Sequence, residues 1–347
     1  MRYRPLALLL LLAAAIAGPL VFSNPTITSI AVLTVIYAAA ATAWNIFAGY
    51  TGYIALGHAV FFGIGAYALA IICQDWHVKS DFGPLFLLPV CGLIAGAISI
   101  PLGAIALRAR SHTFVVITIA MFFIAQLLAY NLRGLTHGSS GLELPIPSWT
   151  FDVYNLPFYY TGLIILLLAL GTSWWVRHSK YGLGLLAIRD DEERARGLGV
   201  KTGPSKLLAF VVSAFFVGML GGLWAYYIES VFPNSGFTAL FDVAVALMAF
   251  LGGLGTLAGP IIGALLLEPA QQYFASDRTL TTWYLVLYGA LFLGVILLLP
   301  EGIVPTIRTR WARWRARRAR TGAAASEPPQ AERPKPVAAA SGDGGDR

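Results

Sequence analysis

Residues 177–206 read RHSKYGLGLLAIRDDEERARGLGVKTGPSK. They hold seven Lys or Arg and four Asp or Glu, and the runs on either side carry almost no charge. Upstream, Pro157–Val176 is apolar and closes on Trp174–Trp175, a pair suited to a membrane interface. Downstream, Leu207–Ile228 is apolar again. Each run is about 20 residues, the length of helix that crosses a hydrocarbon core about 30 Å thick. The stretch therefore reads as a hydrophilic connection between two membrane spans. Leu183–Arg196 has no proline and Ile188 as its one β-branched residue, which predicts a helix. Gly197 and Gly199 offer a C-terminal cap, and Pro204 blocks helix further on. Leu185, Ile188 and Ala195 fall near one face, with Asp191 and Glu192 beside them. On charge alone, a solvated loop that fixes orientation accounts for the segment. The apolar stripe adds a second reading, a short helix that docks into a groove of a soluble partner.

Working outward, the same division repeats. The chain has 347 residues, 57% hydrophobic and 12% charged, about half the charged fraction of a soluble domain. Apolar runs occupy Leu6–Phe22, Ile27–Ala48, Gly52–Cys73, Gly83–Leu107, Thr113–Tyr130, Pro157–Val176, Leu207–Ile228, Thr238–Phe274 and Thr281–Leu299. The fold class is all-α, a polytopic transmembrane helical bundle. The basic start MRYRP before Leu6–Phe22 resembles a signal peptide, but a second apolar run follows at once, so an uncleaved first span is expected. With the N-terminus inside, 21 of the 24 Lys and Arg fall on the cytoplasmic side; only Lys79, Arg133 and Arg278 fall outside. That places residues 177–206 and both termini in the cytoplasm of a multi-pass inner (plasma) membrane protein. Both flanks of Thr238–Phe274 are then outside. Its 37 residues, broken at Gly252–Thr256 and Gly259–Pro260, cross twice or enter and return, giving eight to ten spans.

Two regions follow: 1–307 in the membrane and 308–347 as a cytoplasmic tail. Arg308–Arg320, RTRWARWRARRAR, is a basic helix suited to anionic membrane lipid; beyond Thr321 the Ala/Gly/Pro/Ser-rich chain is expected to be disordered. Ten of the Lys and Arg lie in this tail, so the net charge of +7 does not point to nucleic acid. Cys73 and Cys91 lie in or beside apolar runs and read as small buried hydrophobes. No phosphate-binding loop, metal-ligand spacing or nucleophile motif occurs, so no catalytic residue, metal or cofactor is expected.

Two features at membrane depth remain. Asp242 and Glu268 are acids within apolar runs, costly there unless functional or near the outer headgroups. Residues 45–67, from Asn45 through GYTGYIALGHAVFFGIGAY, concentrate glycine beside polar and aromatic groups. Glycine permits local unwinding, which is tolerated at that depth only inside protein or beside a cavity. Asn45, Gly52, Gly57, His58, Phe61, Phe62 and Gly65, with Gly253 and Gly255, are therefore candidates to line a substrate path. Tight packing of small residues between helices explains the same pattern.

Three blocks together resemble the permease subunits of ABC importers for branched-chain amino acids: residues 45–67; SKYGLGLLAIRDDEERARGLGV at 179–200, followed by Lys206–Phe210; and MAFLGGLGTLAGPIIGA at 248–264. Leu299–Ile303 also fits. The resemblance implies a pore-forming subunit that works with a second permease, cytoplasmic ATPase subunits and an extracytoplasmic substrate-binding protein. It makes the charged segment the coupling element, through Ser179, Tyr181, Gly182, Ala187, Ile188, Arg189, Asp190, Asp191, Gly197 and Gly199. On this reading Ala187 and Ile188 are the apolar anchors in the ATPase, and ATP hydrolysis is not this chain's own activity. Tyr53 and Ala55 stand where the family commonly has Gln and Ser, and urea permeases of the same superfamily remain an alternative. An ion-coupled secondary transporter is the alternative from another class.

Overall fold

A computed structural model describes residues 13, 15–19, 24–78, 81–150, 153–276, 286, 289–290, 293–294, 297, 302–307 and 309–310. Most of the expected first span, most of Thr281–Leu299 and the tail beyond residue 310 lie outside the described residues. The chain divides into a unit of residues 1–305 and a second unit of residues 306–347, within which 306, 307, 309 and 310 are helical.

The first unit is a helical bundle. Its long elements are α1 (Pro25–Thr51), α2 (His58–Asp75), α3 (Leu88–Ala106), α4 (Ser111–Asn131), α5 (Asn155–His178), α8 (Thr202–Ile228), α9 (Ala239–Gly252) and α10 (Gly259–Ser276). Between α5 and α8 lie two short helices, α6 (Lys180–Asp190) and α7 (Glu192–Gly197). Seven helices among the described residues are long and apolar enough to cross a membrane, so the chain is a multi-pass membrane protein. The only strands among the described residues are β1 (Leu142–Glu143) and β2 (Ser230–Val231), an antiparallel pair at the end of the bundle away from α6. The end that carries α6 and α7 is called the basic end below.

Helix α1 is the axis. Asn24 caps it by accepting from Thr26 N–H, Pro25 starts it, and Gly52 ends it in the left-handed conformation at φ +76°. From Ala38 to Thr51 every residue is buried, and the run Ala38–Ala41 lets other helices approach. Thr34, Thr42 and Thr51 turn their hydroxyls back onto the carbonyls of Ile30, Ala38 and Phe47, which makes them admissible inside.

Helices α2 and α8 meet backbone to backbone. A Cβ on Gly65 would lie 1.9 Å from Gly218 O, and one on Gly221 would lie 1.9 Å from Phe62 O. Such close approach is how helices associate where lipid is as apolar as leucine. By contrast, α4 leaves Val116, Phe123, Ile124 and Leu127 largely exposed. Between α2, α3 and α4 lies a cavity of about 790 Å³, lined by residues such as Ile64, Tyr67, Ile94, Ile98, Ile117 and Ile124.

Two expected spans are interrupted. Gly52–Cys73 is helical only from His58; residues 52–57 are non-helical. Thr238–Phe274 forms α9 and α10 joined by a non-helical tip at 253–258. That tip touches Gly49 near the end of α1 and Arg177 near the end of α5, so the hairpin reaches the basic end and returns. The charged segment also departs from a single helix. Asp191 leaves helical geometry (φ −162°, ψ 108°) and accepts from Glu193 N–H and Arg194 N–H, which starts α7 one residue after α6 ends. Cys73 and Cys91 are buried free thiols.

The Gly65–Gly218 contact is directly testable. Gly65→Val should push α2 from α8 and lower the yield of monodisperse chain on detergent size exclusion, since overpacking costs about 1–3 kcal/mol or more. Gly134→Val, where an added Cβ meets nothing within 4 Å, should not.

Candidate functional site

The charged segment lies against the bundle rather than free in solvent. Helix α6 starts with Ser179 as its cap, the hydroxyl accepting from Gly182 N–H at 3.1 Å. It packs on the ends of α1, α5 and α8. Gly182 is pressed on the end of α5: a Cβ there would lie 1.9 Å from Val176 O. Tyr181 donates to Ser205 O at 2.7 Å. Leu185, Ile188 and Ala195 are all buried, so the stripe seen in the sequence is the face that meets this chain's own helices. Ile188 is therefore a packing residue, not an anchor offered to a partner, and the reason is that α6 lies across the bundle end with this side inward. Ala187 is half-buried, and Asp190 is exposed. Outward, Leu183 and Leu198 are 64% and 83% exposed. Gly197 has open space around its Cα, and Gly199 adopts φ +86°, the conformation that turns the chain toward α8.

A buried ion pair ties this segment to the first helix break. Lys206, in the first turn of α8 and 3% exposed, donates to Glu192 Oε1 at 2.7 Å and to Tyr53 Oη at 3.1 Å, and lies 4.3 Å from the centre of the Tyr53 ring. The Tyr53 hydroxyl in turn donates to Glu192 Oε2. Burial works against the Glu192 charge, but the hydrogen bonds from Lys206 and Tyr53 and the Lys206 charge outweigh it and hold the carboxyl below the usual carboxylate range. Arg110–Glu193 and Arg194–Asp191 are exposed pairs that contribute at most about 1 kcal/mol each.

Elsewhere along the break at 52–57, side chains meet the backbone groups that a helix would have paired. Trp44 Nε1 donates to Ala55 O at 2.8 Å, Thr118 Oγ1 accepts from Leu56 N–H at 3.2 Å, and Asp242 Oδ1 accepts from Ala59 N–H at 3.0 Å. Asp242 thus sits at the N-terminus of α2, where the helix dipole favours a carboxylate. Gly57 is packed on α4, an added Cβ lying 2.6 Å from Thr118 O.

The second break is held from α1 and α5, with Arg189 beside it on the end of α1. Asn45 on α1 accepts from Gly255 N–H at 2.8 Å and donates to Thr256 O at 3.0 Å. Arg177 donates to Gly255 O. Arg189 donates to Gly49 O at 2.8 Å. Gly253 and Gly255 adopt φ +122° and +76°, and a Cβ on Gly253 would lie 2.5 Å from Pro305.

The candidates for a substrate path therefore divide. Asn45, Gly52, Gly253 and Gly255 gather at the basic end beside α6. Gly57, His58, Phe61, Phe62 and Gly65 lie in packed interior: His58 Nε2 is 2.8 Å from Ser213 Oγ, and its ring is among Phe47, Phe61 and Phe210, while Phe62 stacks near Phe241 at 4.2 Å. The face of α2 toward the apolar cavity is instead Val60, Ile64, Tyr67 and Ile71. Asp242 and Glu268 are 2% and 0% exposed, each with one carboxylate oxygen unpartnered among the described residues. Sequence reasoning missed Tyr53, Glu192 and Lys206 as members of one cluster, and Arg177 as a partner of the hairpin tip. The readable signal was Lys206 itself, a lysine one turn inside an apolar helix.

A bundle of apolar helices with two interruptions, carrying a charged, partly apolar segment at one end, has the architecture of a membrane transport protein. The chain belongs to the family described as branched-chain amino acid transport system / permease component, whose model matches residues 26–296. It is 29% identical over 329 residues to the high-affinity branched-chain amino acid transport system permease protein LivM of Escherichia coli K12, covering 87% of this chain and 75% of LivM. It is 28% identical over 285 residues to the corresponding LivH of the same strain, covering 77% of this chain and 91% of LivH. A shorter match, 29% over 140 residues, covers 39% of this chain and 40% of the autoinducer 2 import system permease protein LsrC of Yersinia pseudotuberculosis. No solved structure matches the chain.

The ion pair gives a pH signature. Because the Glu192 carboxyl is held down in the folded chain, its contribution is present above its ordinary pKa and is lost as pH falls through the depressed folded value. Glu192→Gln removes the counter-charge of the buried Lys206 ammonium and leaves it the Tyr53 hydroxyl and ring, and should cost about 2 kcal/mol at neutral pH. Thermal melts in detergent should show the wild-type chain losing this difference toward acid pH, with the two curves converging.

Proposed function

We propose that this chain is one membrane subunit of an ATP-driven importer that carries branched-chain amino acids through the inner membrane into the cytoplasm. The family match over most of the chain carries this reading. The basic end faces the cytoplasm, in keeping with the distribution of Lys and Arg. There, residues 179–201 dock on an ATPase subunit, which supplies the hydrolysis for which this chain has no phosphate loop. A second permease of the same family completes the pore, and an extracytoplasmic binding protein delivers substrate at the opposite end.

The docking face differs from the one the amphipathic stripe suggests. Its apolar members are Leu183 and Leu198, with half-buried Leu186 and Ala187 between them and Lys180, Asp190 and Arg194 around them. Exposed leucines ringed by charge on a water-facing surface are what a soluble partner covers. When the ATPases close, the docking segment moves, and α5 and α8, which continue directly from it, carry that motion into the membrane.

Leu183→Asp tests this. The side chain is mostly exposed, so insertion and folding should be unchanged. In the partner groove the carboxylate is desolvated, and ATPase recovery on co-purification should fall at least about tenfold, the effect of about 1.4 kcal/mol. Leucine uptake by the assembled importer should fall with it. Equal ATPase recovery and normal uptake would return residues 179–201 to a solvated loop. Uptake of urea in place of leucine by the wild-type importer would move the substrate to the urea class.

A further inference from the structure

Arg189 belongs to the docking helix and is exposed, yet its guanidinium reaches back to the bundle. Its stem passes Gly52, where an added Cβ would lie 3.0 Å from Arg189 Cγ. Its Nη1 donates to Gly49 O at 2.8 Å, filling one of the carbonyls left open at the end of α1. The same nitrogen backs onto the hairpin tip: a Cβ on Gly255 would lie 2.5 Å from it. Gly255 is meanwhile bonded through its N–H to Asn45 and through its C=O to Arg177. The tip between α9 and α10 is thus bonded to α1 and to the last turn of α5, and it abuts the Arg189 guanidinium of the docking helix, which is itself bonded to the end of α1. In the chain, all of α7, α8 and α9 separate it from Arg189.

We infer that the tip at residues 253–256 is a second point of attachment of the docking helix, and that Arg189, Arg177 and Asn45 are positioning residues that make the α9–α10 hairpin move with it. The inference rests on the reading of residues 179–201 as the ATPase-docking segment. Helix α6 is joined covalently only to α5 and, through α7, to α8. Displacement passed along those joints alone would leave the hairpin behind. Charged donors from two elements on one glycine carbonyl and one helix end, with the Asn45 amide pairing both a donor and an acceptor of the tip, hold it in register instead. Gly255 has no side chain because Arg189 and Gly49 O occupy that space, and its φ of +76° suits glycine.

The test uses the complete importer in proteoliposomes with its binding protein, and two variants made separately. Arg189→Ala loosens the tip from the docking side. Asn45→Asp keeps the acceptor for Gly255 N–H but places a carboxylate oxygen against Thr256 O, and it lies on α1, away from the outward leucines. Both variants should recover ATPase within twofold of wild type and hydrolyse ATP, while leucine moved per ATP falls at least tenfold. Unchanged transport per ATP in either variant overturns the inference. Loss of assembly in both reduces these contacts to holding the fold and overturns it too. Loss of ATPase from Arg189→Ala with normal transport by Asn45→Asp makes Arg189 a docking residue and overturns it as well. A wild-type chain that recruits no ATPase removes the docking reading, and this inference with it.

Discussion

Inside a hydrocarbon layer a backbone N–H or C=O without a partner costs several kcal/mol, because no water is there to replace the lost bond. This chain leaves helical geometry twice, at residues 52–57 and 253–258. Much of the structure follows from how the freed groups are paired. Helix α1 answers both breaks from adjacent residues, Trp44 toward Ala55 and Asn45 toward Gly255 and Thr256. Asp242 on α9 serves the start of α2, so the two broken elements also support each other. A helix with these duties cannot be exchanged for a merely apolar one, which accounts for the depth at which α1 is buried.

The charged segment proposed to dock is bound into the same arrangement. Glu192 reaches Tyr53 at the first break through the Lys206 pair, and Arg189 reaches the end of α1 beside the second. A force applied to α6 thus meets two places where the helices are already interrupted and where backbone dihedrals can change without breaking a continuous ladder. On the proposed function, in which an ATPase drives the subunit from this end, interruptions joined to the driven element are where rearrangement is cheapest. The packed glycine contacts of α2 with α8 supply the opposite property, a rigid wall against which the rest can turn.

The second break was legible in the sequence at Gly252–Thr256 and Gly259–Pro260, whereas residues 52–57 fell within an expected span, because their glycines fit tight helix packing as well as local unwinding. The charge alternation around residues 177–206 was legible for the same reason that hydropathy works: lipid tolerates no such run. What stayed hidden depends on contacts between distant residues. The stripe of Leu185, Ile188 and Ala195 is equally consistent with an outward or an inward face, and only the position of α6 across α1, α5 and α8 makes it inward. Asn45 was recognisable as unusual within an alanine-rich helix, but its partners lie 210 and 211 residues away. The interruption at Asp191 was readable as a capping acid before Glu193 and Arg194, and was passed over because the surrounding residues all favour helix.

The central claim is that the docking helix and the hairpin tip form one mechanical unit. Spin labels at Lys180 and Leu254, in the assembled importer lacking Cys73 and Cys91, measure the distance between them without and with bound ATP. A distribution that keeps its mean and width across the two states, while a pair from Lys180 to Tyr273 at the other end of α10 shifts, is the predicted result. A change in the Lys180–Leu254 distance between the states would contradict it.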